Sequence, residues 1–164
     1  MRAQKVSPEA IEKRANKLFD AKHYTEAFKD YNDLTKLEPN NPRFQLNAGV
    51  CLLNSPFPEK ALPFIQKGVV LQKEPASDDW YVLAQAQHSN YLFDEAIENY
   101  KKSDPKGNRR AVVARRVTEC VNGKRLKGAP VPAIVINLGP TINTSAHEYL
   151  PFVTADQQML FFTS

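Results

Sequence analysis

Matched alanines recurring at a fixed spacing constrain this chain more than any other feature. The segment Tyr24-Thr25-Glu26-Ala27-Phe28-Lys29-Asp30-Tyr31 is echoed by Pro58-Glu59-Lys60-Ala61-Leu62-Pro63-Phe64-Ile65. It is echoed again by Phe93-Asp94-Glu95-Ala96-Ile97-Glu98-Asn99-Tyr100. Ala27, Ala61 and Ala96 stand 34 and 35 residues apart, and a proline follows each segment at Pro39, Pro75 and Pro105. A period of this length marks a supersecondary unit that cannot bury its apolar face alone and stacks on copies of itself.

The residue types fit a pair of helices in each unit. A small alanine lets the second helix cross the first closely, and Tyr31 or Tyr100 four residues on fills the space beside it. A following proline stops the helix. Trp80, Leu83 and Ala84 take large, large and small positions on the first helix of the third unit, and Ala48 and Gly49 hold the last two in the second. Over about residues 7–105 this pattern resembles the tetratricopeptide repeat (TPR). The resemblance implies a mainly α fold: a TPR-type α-solenoid of three helix A–helix B pairs, whose A helices line a concave face that binds peptides or protein surfaces. The second unit departs from the pattern. Asn54-Ser55-Pro56-Phe57-Pro58 replaces a tight turn, so its helix B is expected to begin near Pro58 and to be irregular at Pro63.

A capping helix is expected over residues 107–123, opened by Gly107-Asn108 and closed by Asn122-Gly123. Val113, Val117, Cys120 and Val121 form its apolar stripe, which would cover the open end of the repeats. Arg109 and Arg116 flank that stripe, and Arg115 lies opposite it.

The net charge of +4 is unevenly distributed. Residues 105–128 hold eight Lys or Arg and one acid, whereas residues 129–164 hold no base and two acids. The basic segment, Lys101, Lys102, Lys106, Arg109, Arg110, Arg115, Arg116, Lys124, Arg125 and Lys127, reads as the polar face of a capping helix or as a docking patch for an acidic partner or anionic surface. It carries no aromatic stacking platform or recognition motif, so no nucleic-acid partner is expected. No apolar run approaches the ~20 residues of a transmembrane span.

Cys51 lies in the apolar run Val50-Cys51-Leu52-Leu53 and reads as a buried small residue. Neither it nor Cys120 has a histidine at ligand spacing, so no metal site is expected, and no cofactor motif occurs. His23, His88 and His147 form no Ser/His/Asp or Cys/His arrangement, and no catalytic residue is assigned. Asp78-Asp79 and Asp94-Glu95 read as charge complementing helix N-termini. The chain is expected not to be an enzyme, unless a catalytic part lies beyond Ser164.

From Ala129 the character changes. Val131–Ile136, Tyr149–Val153 and Met159–Thr163 read as strands. Three short strands cannot bury a core alone, so the tail must pack on the helices, pair with another chain, or begin a longer unit. Leu138-Gly139-Pro140-Thr141-Ile142-Asn143, then His147 to Asp156, then Met159 to Ser164, resembles the opening of a PD40 (WD40-like) β-propeller repeat. Gln157 stands where that pattern has glycine, which weakens a turn needing positive φ. Domains are expected at 7–123, the solenoid with its cap, and 124–164, a linker and incomplete first propeller strands.

Repeats followed by a basic helix and this opening resemble the multidomain OmpA-family envelope proteins of Bacteroidetes, a group that includes type IX secretion components. That resemblance implies a periplasmic, outer-membrane-associated scaffold, with peptidoglycan bound only by a further C-terminal domain. The chain would then be a fragment. No signal-like apolar stretch follows Met1, and Ala3-Gln4 resembles a mature N-terminus after signal cleavage.

By repeat register the concave face should present Glu12, Asn16, Asn47, Asn54, Tyr81, Gln85 and His88. Asn16 and Asn47 match the asparagines with which chaperone-binding TPR domains clamp a C-terminal carboxylate, but Glu12, Asp78 and Val82 stand where their cations would be. Chaperone-tail binding is therefore not expected. The candidate protein-binding residues are Asn16, Asn47, Asn54, Tyr81, Gln85 and His88 in the groove and Arg109, Arg115 and Arg116 on the basic helix. A scaffold holding other envelope or secretion-system proteins is the first reading; a soluble adaptor taking a client peptide in its groove is the alternative.

Overall fold

The computed structural model describes residues 7–134, 136–145 and 148–163. Its helices are α1 Pro8–Asp20, α2 Tyr24–Leu37, α3 Pro42–Leu53, α4 Leu62–Val70, α5 Ser77–Ser89, α6 Phe93–Lys102 and α7 Arg110–Gly128. Two strands follow, β1 Tyr149–Val153 and β2 Leu160–Thr163. The chain divides into two compact units, 1–129 and 130–164.

In the first unit, α1–α2, α3–α4 and α5–α6 are the three repeat pairs. Local chemistry starts the A helices. Ser7 caps α1, its Oγ accepting from the Ala10 amide at 3.3 Å, and Pro8 opens the first turn. Asn41 caps α3 in the same way through Arg43, ahead of Pro42. At α5 the Asp79 carboxylate reaches back to the Ala76 amide at 2.8 Å, and Asp78 adds charge to the same turn.

The alanine pattern becomes the core. Ala27, Ala61 and Ala96 are fully buried, as are Ala15 and Ala84 on the facing A helices. Gly49 takes the place of Ala15 and Ala84 in the second repeat, where a Cβ would fall 2.3 Å from Cγ1 of Ile65. Tyr31 and Tyr100 are buried beside their alanines, with Ile65 as their counterpart. The Phe28 and Phe64 rings meet edge to face at 5.7 Å and join the first repeat to the second.

Turn chemistry explains the irregular repeat. Lys22 and Tyr91 sit at equivalent places in the turns of the first and third repeats, both in the left-handed region with φ of 62° and 60°. Pro56 holds that place in the second repeat, and its ring fixes φ near about −65°. A tight left-handed turn is closed to it. The chain instead takes a longer turn and a short 3-10 segment, Pro58–Ala61, before α4, with Pro63 in the first turn of α4.

Two helical expectations are corrected. The seventh helix spans Arg110–Gly128 rather than 107–123. Gly123 is not its cap but a contact point: a Cβ there would lie 2.6 Å from Cζ of Phe93, so its hydrogen lets α7 lie against α6. Cys120 is buried and Val113 and Val117 pack on the same cluster, but Val121 is 53 % exposed and leaves the stripe.

In the second unit the strand expected over 131–136 is absent: residues 131–134 and 136 pair with nothing regular. Pro130 and Pro132 lack the N–H a ladder needs. The other two expected strands form an antiparallel hairpin, Tyr149 opposite Thr163, Phe152 opposite Phe161 and Val153 opposite Leu160. Leu150, at φ 52°, marks a bulge in β1. Gln157 supplies the positive φ of the turn, 59°, and its amide donates to the Thr154 carbonyl at 2.8 Å. The Leu138–Asn143 stretch is a turn with Gly139 at φ 86°, where Asn137 Oδ1 accepts from the Gly139 amide and from Asn143 Nδ2, each at 2.7 Å. His147 lies outside the described residues.

Candidate functional site

Alternate helices of a repeat solenoid share one face, so side chains from α3, α5 and α7 converge. A groove of about 900 Å³ opens there, bounded by Leu53 and Asn54 at the end of α3, by Gln85, His88 and Ser89 of α5, and by Arg116 and Gly123 of α7. Pro58, Glu59 and Tyr91 form its rim, and Phe93 and Tyr100 of α6 reach its floor from below. The floor is aromatic. His88 lies edge-on to Phe93 at 5.8 Å and to Tyr100 at 6.3 Å, and Tyr91 meets Phe93 at 6.0 Å.

The electrostatics of the groove follow from burial. Loss of water holds His88 below the ordinary imidazole value, and Arg116 lowers it further, while Glu119 partly offsets both. The neutral ring is therefore the form present near pH 7. Burial also pushes the Tyr100 hydroxyl well above the ordinary phenol range. The Arg116 guanidinium donates from Nη1 to Glu119 at 2.9 Å, and the neighbouring Tyr81 hydroxyl together with Glu119 holds it firmly protonated. Its Nε is buried without a hydrogen-bond partner among the described residues.

The expected site residues separate into groups. Asn54, Gln85, His88 and Arg116 come together in the groove. Asn54 Nδ2 donates to the Val50 carbonyl at 2.9 Å, closing the end of α3. Tyr81 stands beside them, edge-on to Tyr100 at 5.5 Å with the Arg109 guanidinium 5.7 Å from its ring centre. Arg109 also pairs with Asp78 and thereby ties α7 to α5. Asn16 and Asn47 lie elsewhere. Tyr31 donates its hydroxyl to Asn16 Oδ1 at 2.6 Å, which engages that asparagine between α1 and α2, while Asn47 lines a separate groove with Phe19, Arg43 and Asp79. Arg115 is exposed and, among the described residues, pairs only with Glu119, at 3.6 Å. Glu12 pairs with Arg43 of the next A helix.

Tyr91, Phe93 and Pro58 were not among the expected site residues. Tyr91 carried one available signal, a bulky residue at the turn position where the left-handed region favours glycine. Among the described residues no group of three or more His, Cys, Asp or Glu could hold a metal ion, and no helix is long and apolar enough to cross a membrane.

Solved structures share the solenoid. The TPR domain of Sgt2 from Aspergillus fumigatus superposes with a TM-score of 0.57 at 21 % identity, covering 80 % of this chain and 89 % of that one. The first TPR domain of human RPAP3 gives 0.60 at 16 % identity, covering 76 % and 97 %. The Yersinia enterocolitica type III secretion chaperone SycD, in complex with a peptide of the translocator YopD, gives 0.55 at 18 % identity, covering 73 % and 93 %. No protein-family model and no curated protein sequence matches the chain. The fold is thus that of a TPR-type α-solenoid, mainly α, with a short two-stranded extension at its C-terminal end.

Proposed function

We propose that this chain is a protein-interaction module that holds an extended segment of a partner in the groove between α3, α5 and α7. The observation that carries the reading is that groove: an aromatic floor beneath polar side chains, on the face that alternate helices share. Two structures that share the fold are complexes with partner segments, SycD with a peptide of YopD and PcrH with the chaperone-binding region of PopD. The carboxylate clamp is not the mode of recognition, because Asn16 is engaged by Tyr31 and the cation positions hold Glu12, Asp78 and Val82.

The order of repeats, basic helix and propeller-like opening supports a finer reading. The chain is the repeat part of a multidomain OmpA-family envelope protein of the type IX secretion system, similar to the component PorE, and sits in the periplasm at the outer membrane. Its partners are other secretion-system proteins, met by the groove or by the basic surface of α7. Peptidoglycan would be bound by a separate C-terminal domain. The alternative is a soluble adaptor that captures a client peptide, which the same groove also supports.

Affinity capture from a Bacteroidetes envelope extract tests the two together, with the full chain and its Gln85→Ala/His88→Ala variant as baits. Secretion-system proteins retained by the native chain and lost by the variant support the scaffold. Retention that does not depend on Gln85 and His88 removes the groove from the reading. A short client peptide that competes fully for the site favours the adaptor.

A further inference from the structure

Cys51, Ala86 and Cys120 stand 35 and 34 residues apart and are all fully buried. They place α7 in the register of the A helices α3 and α5, so α7 begins a fourth repeat. Among the described residues no B helix follows it. The third repeat marks which positions of an A helix meet a B helix. Ala84 is buried among Phe93, Ala96 and Tyr100 of α6. Lys102 stands over the Trp80 ring at 4.9 Å, and Asn99 Nδ2 donates to Gln87 Oε1 at 2.8 Å. The same positions 34 residues on are Thr118, Ala114 and Val121, and all three are exposed. A valine now stands where Gln87 stood, and the Thr118 hydroxyl already donates to the Ala114 carbonyl at 3.0 Å. Whatever covers this face must therefore bring apolar side chains rather than hydrogen bonds.

The charge beside that face is one-sided. A trough of about 660 Å³ is lined by Val113, Ala114 and Val117 of α7 and by Lys101, Lys106 and Arg110. Its counterpart between α4 and α5 is lined by Trp80 and Gln87, the residues that α6 touches. The acid of the α7 trough, Asp104, is engaged: its Oδ1 accepts from the Arg109 amide at 3.1 Å. Lys101 makes an exposed pair with Glu98 at 3.3 Å, and Lys106 and Arg110 pair with no acid among the described residues. Farther along α7, Arg115 and Arg116 share the single carboxylate of Glu119. Positive charge is in surplus around an apolar strip, so charge complementarity asks an occupant for acids as well.

We infer that an acidic amphipathic helix of a partner protein completes the fourth repeat, standing on α7 where α6 stands on α5. Its apolar stripe covers Ala114, Thr118 and Val121, and its acidic flank meets Lys106 and Arg110. The trough shares no lining residue with the groove between α3, α5 and α7, so this second surface goes beyond the groove reading and does not depend on it.

The test uses the full chain and fluorescence anisotropy with three labelled peptides of helical design. The first has a Leu/Ala stripe at helical spacing and Glu on its flanks. The second has Lys in place of every Glu. The third keeps the Glu and has Ser along the stripe. The first should bind roughly 10-fold or more tightly than either of the others, gain helical circular dichroism on binding, and weaken as salt rises. Lys106→Glu/Arg110→Glu should reverse the preference, so that the second peptide binds better than the first. Thr118→Arg should weaken the first roughly 10-fold by filling the strip. Lys106, Arg110 and Thr118 are all exposed, so thermal stability should hold and loss of binding is not loss of fold. Gln85→Ala/His88→Ala, in the groove, should leave this binding unchanged. Binding of the first peptide no tighter than of the second or third, or binding of none, overturns the inference. Loss of binding in the groove variant overturns it too, by moving the peptide into the groove. A dimer of the chain that Thr118→Arg dissolves would seat a second copy on this face. Binding to phosphatidylglycerol vesicles that the first peptide does not compete would make the cations a lipid surface. Either result overturns the partner helix.

Discussion

Lys22, Pro56 and Tyr91 occupy one equivalent place in three turns, and what each residue permits decides the shape of its repeat. At Lys22 a φ of 62° is held by an exposed side chain with no packing to justify it. Lys22→Gly should therefore raise stability by about 0.5–1 kcal/mol in urea denaturation, the relief of the left-handed strain exceeding the added freedom of the unfolded chain. A lower midpoint would show that the turn is not strained. Gln157 makes the same point from the other side. Its position was recognisable as one that wants glycine, and it does take φ 59°, yet nothing in the residue types announces that a hydrogen-bonded turn forms around a glutamine. His88 is the residue whose environment sequence could not supply. Burial lowers its pKa in the folded state, so above the ordinary value of 6.5 both states are neutral and nothing is lost. As pH falls below 6.5 the unfolded chain takes up the proton first, and stability declines until the folded ring also protonates. His88→Gln should flatten that part of the stability profile, leaving the carboxylate titrations at lower pH in place. An unchanged profile between pH 7 and 5 would place the burial elsewhere.

Helices in this molecule are set by what lies at their crossings, and here glycine has opposite meanings at neighbouring positions. Gly123 and Gly128 both lie in α7. A methyl group at Gly123 meets the Phe93 ring, whereas one at Gly128 meets nothing within 4 Å. Gly123→Ala should lose about 1 kcal/mol, because overpacking at about 1–3 kcal/mol outweighs the gain in helix propensity of about 1. Gly128→Ala should be neutral or stabilising by a few tenths, since it adds propensity without a clash. Thermal denaturation of the two variants side by side checks the pair; equal shifts would mean that α7 does not lie on Phe93. Asn122-Gly123 read as a stop because glycine after a polar residue is also the chemistry of a helix end. Only the position of Phe93, thirty residues earlier in the chain, distinguishes a crossing from a cap. The repeat helices were legible for the opposite reason: Ala27, Ala61 and Ala96 report a crossing whose partner is always the preceding helix, so a local pattern suffices. The strand expected at 131–136 shows the limit of composition, since β-branched residues suggested it while Pro130 and Pro132 deny it a ladder.

At the scale of the whole molecule, the first unit behaves as a row of neighbours rather than as one core. Its buried residues fall into three clusters: one around Tyr31 and Leu34, one around Ile65 and Leu83, and one around Tyr100 and Cys120. The first two share Phe28 and Phe64 as partly buried packing, whereas the third is closed by α7 alone. Candidate groove residues were legible only as register positions, which is why Gln85 and His88 were named while the rim residues Pro58 and Tyr91, set by an irregular turn and a left-handed one, were not. In a solenoid whose interactions are nearest-neighbour, damage at the end should spread inward only as far as the coupling carries it. Cys120 is the sharpest place to apply it: fully buried, with its thiol pushed above the ordinary value by loss of water, it has no room for a hydrated group. Cys120→Asn buries an amide without a partner and should cost about 1–3 kcal/mol. Hydrogen exchange on the full chain should then show protection lost in α7 and α6, partly lost in α5, and retained in α1–α3. The same substitution should weaken any peptide that uses the groove, because Arg116 and Gly123 leave with α7. Uniform loss of protection across all seven helices would instead show a single cooperative unit, and the groove would then report on global stability rather than on the seating of its last wall.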